Sequence, residues 1–545
     1  MNDWLLHSPI YPVVVPLVAG AVMLLTKDTQ RLSRLGIGLA SVFIQLVVAI
    51  GLLCLTAGIM PDLWPKGIGV YLLGDWPARA GIVVVVDRLA AVMLTLSALL
   101  GGATLIYASA RWDRVGVHFH PLFQFLLMGL NGAFLTGDLF NLFVFFEVLL
   151  AASYGLMLHG SGTTRVTAGM HYIAVNLVAS FMLLIAIALV YGVTGTLNMA
   201  DLAVQAGRLT GADRRLFETA AAILGVAFLI KAAAWPLNFW LPGAYAGACA
   251  PVAAIFAIMT KVGIYALLRI GSLLLPTGAP AAFGGAWMFP VGLLTLLFGT
   301  LGLLTTQQTE RLAGYCVIVS SGTLLAALGM PGVTLTGPAL FYLISSVLAT
   351  GAFFMLIEMV ERTQVFGANL LAISQEAFEL DDPQAPDQSD DVVGIAIPKA
   401  MAFLGLAFIS CTLLLSGLPP LSGFVAKFSL LAAALQMSGA DAPSFDAWLL
   451  VIGVLLSGMA AVIALSRAGI HTFWSSGDVH TPRLHASEAA PVAMLVLACV
   501  ALTIWAGPVS RYLNDTARSL DNPASYIEAV LSQSTQRTTA FGSLP

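Results

Sequence analysis

Residues 222–236 read Ala-Ile-Leu-Gly-Val-Ala-Phe-Leu-Ile-Lys-Ala-Ala-Ala-Trp-Pro. Apolar residues flank Lys231 on both sides, as in a membrane-spanning helix, although a charge at the bilayer centre costs roughly 2.5 to 3.5 kcal/mol. Pro236 then removes a helical hydrogen bond and clashes with the preceding turn. Freed backbone groups are tolerated at membrane depth where protein or a water-filled cavity satisfies them. The stretch therefore predicts a broken transmembrane helix of the kind found in transporters.

The rest of the chain also has the composition of a membrane protein. Of its 545 residues, 59% are hydrophobic and 10% are charged, against roughly 25% charged residues in soluble globular proteins. Apolar runs of about 20 residues, long enough to cross a hydrocarbon core of roughly 30 Å, recur along almost the whole length. We predict an all-α polytopic membrane protein with about 14 transmembrane helices. These spans lie near residues 9–26, 35–58, 82–108, 121–136, 138–159, 166–192, 216–246, 250–274, 287–306, 311–329, 337–360, 396–437, 446–467 and 489–507.

A second broken helix is predicted in the twelfth span, at Pro419 and Pro420. The break at Pro236 lies in the seventh span, so the two breaks are five helices apart. Discontinuous helices in matching positions of two halves indicate inverted repeats with a site near the bilayer midplane. We therefore predict two inverted five-helix repeats, spans 4–8 and spans 9–13. The predicted domains are residues 1–120 (an N-terminal three-helix segment), 121–275 (first repeat), 276–470 (second repeat, with an acidic loop at 363–395) and 471–545 (last helix and amphipathic C-terminal tail).

Three further charged residues lie near the middle of predicted spans. Glu147 is roughly 14 Å inside its span at 1.5 Å per residue, and Lys261 and Lys427 have apolar neighbours on both sides. For one lysine, snorkelling toward the interface or a structural ion pair is a sufficient explanation. Three lysines and one glutamate, each with an insertion cost, favour a hydrated axis of titratable groups.

Such an axis can move protons if one pair of charges breaks and reforms. Burial disfavours the charged form of a lysine, whereas a nearby carboxylate favours it. A glutamate that approaches and leaves a buried lysine can therefore switch that lysine between holding and releasing a proton. Because each charge is costly to bury alone, we expect Glu147 and Lys231 to lie within salt-bridge or one-water distance.

Weaker candidates also have structural explanations. Asp138 follows Thr-Gly and has the chemistry of a helix start. His171, near the start of the sixth span, is either a satisfied interfacial histidine or part of a proton relay. Asp87 and Arg88 open the third span, either as an interfacial ion pair or as functional residues.

The main acidic region follows the eleventh span. Glu358 and Glu361 lie beside Arg362 near the end of that span, and we expect them to be solvated. Residues 363–395 then carry Asp and Glu without any Lys or Arg, which predicts a solvated, partly disordered loop. An amphipathic segment at residues 198–215 is predicted to lie at the membrane interface.

Basic residues in short loops predict the orientation of the spans. Lys27, Arg111, Arg165 and Arg311 follow odd-numbered spans, so these loops should be cytoplasmic. The N-terminus then lies on the periplasmic side of a bacterial inner membrane, and the 363–395 loop lies in the cytoplasm. The first residues lack the cationic start and cleavage site of a signal peptide, so the first span is expected to remain.

Several classes of function are disfavoured by the sequence. The net charge is −4 and no basic run occurs, so no nucleic-acid partner is implied. The five cysteines lie in apolar stretches without the spacing of iron–sulfur or zinc ligands, and we interpret them as small core residues. A P-loop and a Ser/His/Asp constellation are also absent from the sequence, so neither a cofactor nor hydrolytic or redox chemistry is predicted.

The most specific motifs of the chain are residues 138–147, 229–242, 260–265 and 417–427. Together they resemble the antiporter-like subunit family that Mrp cation/proton antiporters share with the proton-pumping arm of respiratory complex I. The match covers nearly the whole chain, and residues 520–531 resemble the end of the D-type Mrp (Pha) subunit. This resemblance implies a fold of about 14 helices with inverted repeats, other Mrp subunits as hetero-oligomeric partners, and exchange of Na⁺ or K⁺ for protons.

The resemblance also implies roles for the buried charges. Glu147 and Lys231 would form a coupling ion pair, and Lys261 and Lys427 would continue a lateral proton path. Pro236 and Pro420 would form the helix breaks beside that path.

Two departures from the family pattern affect this reading. Ser345, Ser346 and Thr350 stand where many complex I relatives have a His and a Lys, and Glu310-Arg311 replaces a Lys-Arg pair. The alternative function is a proton-pumping subunit of a complex I-like oxidoreductase or membrane hydrogenase. A third possibility, a membrane scaffold without transport, is disfavoured by the four buried charges.

Overall fold

The computed structural model describes residues 7–27, 30–60, 63–79, 81–116, 118–160, 162–274, 287–332, 334–377, 399–436, 443–473 and 484–541. Within these residues, helices dominate and one two-stranded sheet is present. The helices are α1 (Tyr11–Leu25), α2 (Arg31–Thr56), α3 (Arg88–Ala110), α4 (Phe119–Leu135), α5 (Leu139–Met157), α6 (Thr163–Thr194), α7 (Met199–Ala206), α8 (Gly211–Lys231), α9 (Trp240–Gly247), α10 (Ala250–Leu274), α11 (Met288–Thr305), α12 (Thr309–Leu328), α13 (Thr336–Ala377), α14 (Lys399–Ser416), α15 (Ser422–Gln436), α16 (Phe445–Phe473), α17 (Ala486–Ile504), α18 (Ala506–Asp521) and α19 (Ala524–Phe541).

Twelve helices in the described part of the chain are long and apolar enough to cross a membrane. They correspond to all the predicted spans except the fourth and the seventh. The fourth span is α4, which is apolar but has 17 residues. The seventh span is formed by α8 and α9, and α8 begins with the charged residues Asp213, Arg214 and Arg215. The prediction of an all-helical, multi-pass membrane protein is confirmed.

Both predicted helix breaks are present. The first lies between the end of α8 at Lys231 and the start of α9 at Trp240, and it contains Pro236. The second lies between α14 and α15 and contains Pro420. The peptide bonds Trp235–Pro236 and Pro419–Pro420 are cis. The inverted relation of the two repeats, and the domain boundaries drawn from it, stay predictions.

The most buried helices lie at the centre of the described molecule. The most apolar stretches of α10 and of residues 336–362 in α13 are each 94% buried. A helix that is apolar all round is suited to burial, and the small Ala and Gly residues of α10 allow close approach of neighbouring helices. Lys261 lies near the middle of α10, so it is placed in the interior.

A small β-hairpin was missed by the sequence analysis. Strand β1 (Gly69–Leu72) pairs antiparallel with β2 (Val83–Val86), and all four residues of β2 are buried. We predicted that the third span begins at residue 82, whereas α3 begins at Arg88. A run of four β-branched valines favours an extended strand when a partner strand is available.

Two predicted surface segments are also different in the structure. Helix α13 continues through Ala377, so the first part of the predicted 363–395 loop is helical, and residues 378–395 lie outside the described residues. The predicted interfacial segment at 198–215 instead contains the buried helix α7. Asn198 caps α7, with its Oδ1 accepting hydrogen bonds from Ala200 N at 3.0 Å and Asp201 N at 3.1 Å.

Helices α18 and α19, which form the described part of the predicted amphipathic tail, pack onto the rest of the protein. The hydroxyls of Tyr512 in α18 and Thr56 in α2 are 2.8 Å apart. Glu528 in α19 forms a 2.7 Å ion pair with Lys66, close to the β-hairpin. The two tail helices therefore cover the end of the molecule at which α3 begins.

Candidate functional site

Lys231 is the last residue of α8, directly before the first break. Its side chain is buried, with 5% of the residue exposed. Its ammonium nitrogen Nζ lies 3.5 Å from Ser180 Oγ on α6 and 4.8 Å from the centre of the Phe146 ring on α5. A long hydroxyl contact and an aromatic face are modest partners for a buried ammonium group. Among the described residues, Lys231 is therefore a buried cation without a fixed counter-ion.

Glu147 lies on α5 next to Phe146 and acts on Lys231 through Coulombic attraction. Within the described residues the two side chains form no direct ion pair, so of the salt-bridge or one-water distance that we predicted, the one-water form stays a prediction. Glu147 Oε1 is buried and has no hydrogen-bond partner in the described part of the chain. The Phe146 ring, next to Glu147 in the sequence, lies against the lysine nitrogen. A buried unpaired carboxylate oxygen is rare in native proteins and indicates a site retained for function.

Close backbone packing holds the first break against α10. A Cβ atom at Gly263 would lie 2.7 Å from the carbonyl oxygen of Phe228 and 2.8 Å from the nitrogen of Ala232. Real Cβ atoms do not approach so closely, so glycine is required at this position. The last turn of α8 thus contacts α10 two residues beyond Lys261, which brings the Lys231 and Lys261 motifs onto touching helices.

Lys261 is almost completely buried, with 1% of the residue exposed. Its Nζ donates a 3.1 Å hydrogen bond to Ser321 Oγ on α12. As at Lys231, a serine hydroxyl contacts the ammonium group. The structure therefore gives both lysines of the first half a neutral polar partner.

Lys427 lies in the first part of α15, beyond the second break, with 7% of the residue exposed. Its Nζ donates hydrogen bonds of 2.8 Å and 3.3 Å to the carbonyl oxygens of Ser416 and Leu415. The last carbonyls of a helix have no partner within the helix and carry the negative end of its dipole. Lys427 thus binds the C-terminal end of α14, across the break.

Serine hydroxyls lie between Lys261 of the first predicted repeat and Lys427 of the second. Ser320, next to the partner of Lys261, donates a 2.9 Å hydrogen bond to Ser346 on α13. The adjacent Ser345 shares a 2.8 Å hydrogen bond with Ser422, the first residue of α15. A cavity of about 20 Å³ lies beside these groups and is also lined by Thr350. Sequence reasoning treated these residues as a departure from the family, and the structure places them at the contact between α12, α13 and α15.

Two secondary candidates, Asp138 and His171, form other contacts than those described for the lysines. Asp138 caps α5, as predicted, because its Oδ1 accepts hydrogen bonds from Phe140 N at 2.8 Å and Asn141 N at 3.0 Å. Burial raises the pKa of Asp138, and these two hydrogen bonds oppose that shift. His171 is exposed on α6, and its Nδ1 lies 2.9 Å from the carbonyl oxygen of Thr167. That geometry is the one expected of a surface histidine satisfied by its own helix.

Asp87, at the start of α3, forms a buried ion pair, but not with Arg88 as considered from the sequence. Asp87 pairs with Arg269 of α10 at 2.7 Å, whereas Arg88 donates a 3.1 Å hydrogen bond to the carbonyl oxygen of Thr56. The Arg269 guanidinium carbon also lies 5.1 Å from the centre of the Tyr526 ring in α19. The available signal was Arg269 itself, because an arginine within an apolar run needs a partner.

Glu358, which we expected to be solvated, is only partly exposed. Its Oε2 accepts a 2.9 Å hydrogen bond from Trp112 Nε1, and Arg362 lies 3.8 Å from its other oxygen. Trp112 follows α3 and covers part of this side chain, which is 19% exposed. Glu358, Glu361 and Glu310 line one cavity of about 190 Å³. In the described part of the chain, no group of three or more His, Cys, Asp and Glu residues is arranged to hold a metal ion.

Comparison with known families identifies this arrangement. Residues 136–460, which contain both breaks and the residues Glu147, Lys231, Lys261 and Lys427, match the family described as NADH:quinone oxidoreductase/Mrp antiporter, transmembrane. The chain belongs to this Mrp antiporter and oxidoreductase family. Within the family, a Rhizobium meliloti protein named as the D-type subunit of a probable K(+)/H(+) antiporter is 51% identical over 538 residues, which are 98% of this chain and 99% of the relative.

Two further family members extend the comparison. A protein of Alkalihalophilus pseudofirmus, named as the D-type subunit of a Na(+)/H(+) antiporter, is 31% identical, and the match covers 96% of this chain and 99% of the relative. A chain in the structure of the Mrp complex from Dietzia sp. DQ12-45-1b superposes with a TM-score of 0.79 and is 27% identical. The match covers 97% of this chain and 100% of that chain, so the predicted antiporter-like fold is confirmed over nearly the whole length.

Proposed function

We propose that this chain is the D-type subunit of a multisubunit Mrp antiporter that exchanges Na⁺ or K⁺ for protons across the bacterial inner membrane. The names of two relatives that match over nearly their full length support this assignment. The other subunits of the complex are then its partners, in a hetero-oligomer. The N-terminus lies on the periplasmic side, and the residues that follow α13 lie in the cytoplasm. The activity is transport, and no cofactor takes part.

Glu147, Lys231, Lys261 and Lys427 carry protons along the interior of the subunit. The observation that supports this most is the environment of Lys231, a buried ammonium group beside a helix break with a glutamate near it and no fixed counter-ion among the described residues. When the Glu147 carboxylate moves closer, the charged form of Lys231 is favoured, and when it moves away the proton is released. The movement of one glutamate side chain thus controls the protonation of the first lysine.

The serines between the halves complete the path from Lys261 to Lys427. A serine hydroxyl both donates and accepts hydrogen bonds, so it can take a proton on one side and release another on the opposite side. Ser321 contacts Lys261 directly, and the pairs Ser320–Ser346 and Ser345–Ser422 lead from α12 through α13 to α15. Of these residues, Ser345 and Ser346 stand in the span where many complex I relatives have a His and a Lys.

A second candidate is a proton-pumping subunit of a complex I-like oxidoreductase or membrane hydrogenase. The family description includes NADH:quinone oxidoreductases, which supports this candidate. In such a complex, proton movement along the same lysines would be driven by redox chemistry in other subunits. The 51% identical relative that carries an antiporter name favours the first proposal.

The two candidates differ in what drives proton movement. Everted vesicles that contain the complete complex should acidify inside during respiration and then lose protons when Na⁺ or K⁺ is added, as reported by a pH-sensitive dye. Vesicles that lack this subunit should show no cation response. If proton flux ignores both cations and instead requires NADH oxidation by the complex itself, the oxidoreductase candidate is correct and the antiporter proposal is not.

A further inference from the structure

A basic cavity lies away from Lys231, Lys261 and Lys427, where the end of α3, the region of α13 around Arg362 and the start of α17 meet. Its volume is about 410 Å³. The polar residues that line it are Ser109, Arg111, Arg114, Arg362, His485 and Ser487. Among the described residues that line the cavity there is no carboxylate, so this described lining carries a net positive charge.

Two of these arginines have no partner of their own among the described residues. Arg111 and Arg114 are exposed, and their guanidinium groups make no hydrogen bond or ion pair within the described structure. Arg362, in contrast, forms a 2.7 Å ion pair with Glu488, whose side chain is 1% exposed. The charge of Arg362 is therefore compensated, whereas the charges of Arg111 and Arg114 are available to a ligand.

Among the other groups around the cavity, the Ser487 hydroxyl suits an anion. The Ser109 hydroxyl already donates a 2.7 Å hydrogen bond to the carbonyl oxygen of Ile106, and the N-terminus of α17 is capped by His485 and Glu488. Planar guanidinium groups bind phosphate oxygens in a bidentate manner. Two arginines without a partner among the described residues and the Ser487 hydroxyl together match the chemistry of a phosphate group.

The cavity lies at the depth of lipid headgroups. Helix α3 ends at Ala110, the spanning part of α13 ends at Arg362, and α17 begins at Ala486. These are ends of candidate membrane spans, on the side that the basic loops assign to the cytoplasm. Basic pockets between transmembrane helices on this side are suited to anionic headgroups. We propose that this cavity is a binding site for a phosphate group, supplied by an anionic phospholipid or by a soluble phosphate.

Lipid titration of the purified complete complex tests the proposal. Short-chain phosphatidylglycerol, short-chain phosphatidylcholine and inorganic phosphate are each titrated in detergent, and binding is followed by calorimetry. We expect phosphatidylglycerol to bind and phosphatidylcholine not to bind. The double variant Arg111→Gln/Arg114→Gln should bind phosphatidylglycerol about 30-fold more weakly, because each basic residue near the surface contributes about fivefold.

A matched control tests whether the loss of lipid binding is specific to the arginines of this cavity. Arg208 and Arg215 are also exposed arginines, outside the lining of this cavity, and Arg208→Gln/Arg215→Gln removes the same charge. This control should bind phosphatidylglycerol as the wild type does. Displacement of the lipid by inorganic phosphate would show that a soluble phosphate can fill the site, and failure to displace it would assign the site to lipid. Equal losses in both double variants, or no binding of either phosphate probe to the wild type, would overturn the proposal.

Discussion

The two helix breaks are built in the same way but differ at one residue. In each break, a backbone N–H just beyond the first half-helix donates a hydrogen bond to the carbonyl oxygen five residues earlier. The N–H of Ala234 donates to Leu229, and the N–H of Leu418 donates to Leu413, both at 3.0 Å. The residue before each donor adopts a left-handed conformation. In the second break this residue is glycine, Gly417, and in the first break it is an alanine with φ of +55°. Left-handed backbone costs a residue with a Cβ roughly 1 to 2 kcal/mol, so the first break is strained and the second is not.

The lysines at the two breaks also have different partners. Lys427 is held by backbone carbonyls of α14, which do not titrate. Lys231 has one hydroxyl, one aromatic ring and the field of Glu147, whose charge can change. We infer that at the first break the protonation of Lys231 is coupled to movement of the Glu147 side chain. At the second break, Lys427 conducts protons from a fixed position.

Replacing either lysine by alanine should have the largest effect on transport. Lys231→Ala should reduce cation-dependent proton exchange at least about tenfold, since removing a proton-transferring group typically costs about 100-fold or more. Lys427→Ala should also reduce exchange strongly. It should in addition lower the unfolding temperature of the subunit, because the last carbonyls of α14 lose their donor. Exchange in everted vesicles and thermal unfolding of the purified complex separate these effects, and equal loss of stability in both variants would contradict the distinction.

Gly417→Ala should be the next most damaging change. The position has φ of +79°, and a new Cβ would lie 2.5 Å from Cδ of Lys427. The lysine would have to move away from the carbonyls that it binds. Exchange and thermal stability should fall together in the assembled complex, and Gly405→Ala in α14, where a Cβ would meet nothing within 4 Å, is the matched control. A variant that keeps full exchange would show that the position of Lys427 does not matter.

Removing one hydroxyl between the halves should have a moderate effect. Ser346→Ala deletes the acceptor of the 2.9 Å hydrogen bond from Ser320. We expect exchange to fall by about threefold to tenfold, the range that corresponds to roughly 0.7 to 1.4 kcal/mol for one hydrogen bond. Ser346→Thr keeps a hydroxyl and should retain more of the exchange. If the two variants behave alike, the hydroxyl has no part in proton transfer.

The strain at Ala233 can be measured with a pair of neighbouring glycine variants. Ala232 and Ala233 are both fully buried, so each loses the same methyl group when replaced by glycine. Ala232 has φ of −79°, a conformation without strain. Ala233→Gly should therefore be more stable than Ala232→Gly by about 1 to 2 kcal/mol in denaturant unfolding. Equal stabilities of the two variants would show that the first break is not strained.

The smallest effect is expected for His171. This residue is exposed on α6 and bonds its own helix through Thr167. His171→Ala should leave exchange within about twofold of the wild type, because one lost hydrogen bond at an exposed position is worth about 0.5 kcal/mol or less. Exchange measured over several pH values checks this. A large loss would place His171 in the proton path and return it to the relay role considered from the sequence.

The spans, both breaks and the buried lysines were predictable from the sequence because insertion cost and proline chemistry act locally. The β-hairpin and the partners of Asp87 and Glu358 were missed, although the valine run of β2 and Arg269 within its apolar helix were signals for the first two. Asp87 meets Arg269, which is distant in the chain, and Trp112 covers Glu358 from another helix. Hydropathy sets which segments cross the membrane, whereas the packing between them depends on contacts that a single sequence does not encode locally. The salt-bridge or one-water distance expected between Glu147 and Lys231 stays a prediction in its one-water form, and the Phe146 ring lies against the ammonium group.

The most direct test of the central claim is the exchange activity of Glu147→Gln. This change keeps the shape of the side chain but removes the charge that acts on Lys231. The measurement is cation-driven dequenching of a pH-sensitive dye in everted vesicles, with subunit levels checked by immunoblotting. Glu218→Gln, which removes a carboxylate from α8 where it pairs with Arg214, is the control. Strongly reduced exchange in Glu147→Gln, with normal assembly and an active control, is the predicted result. Normal exchange in Glu147→Gln would contradict the coupling role of the first break.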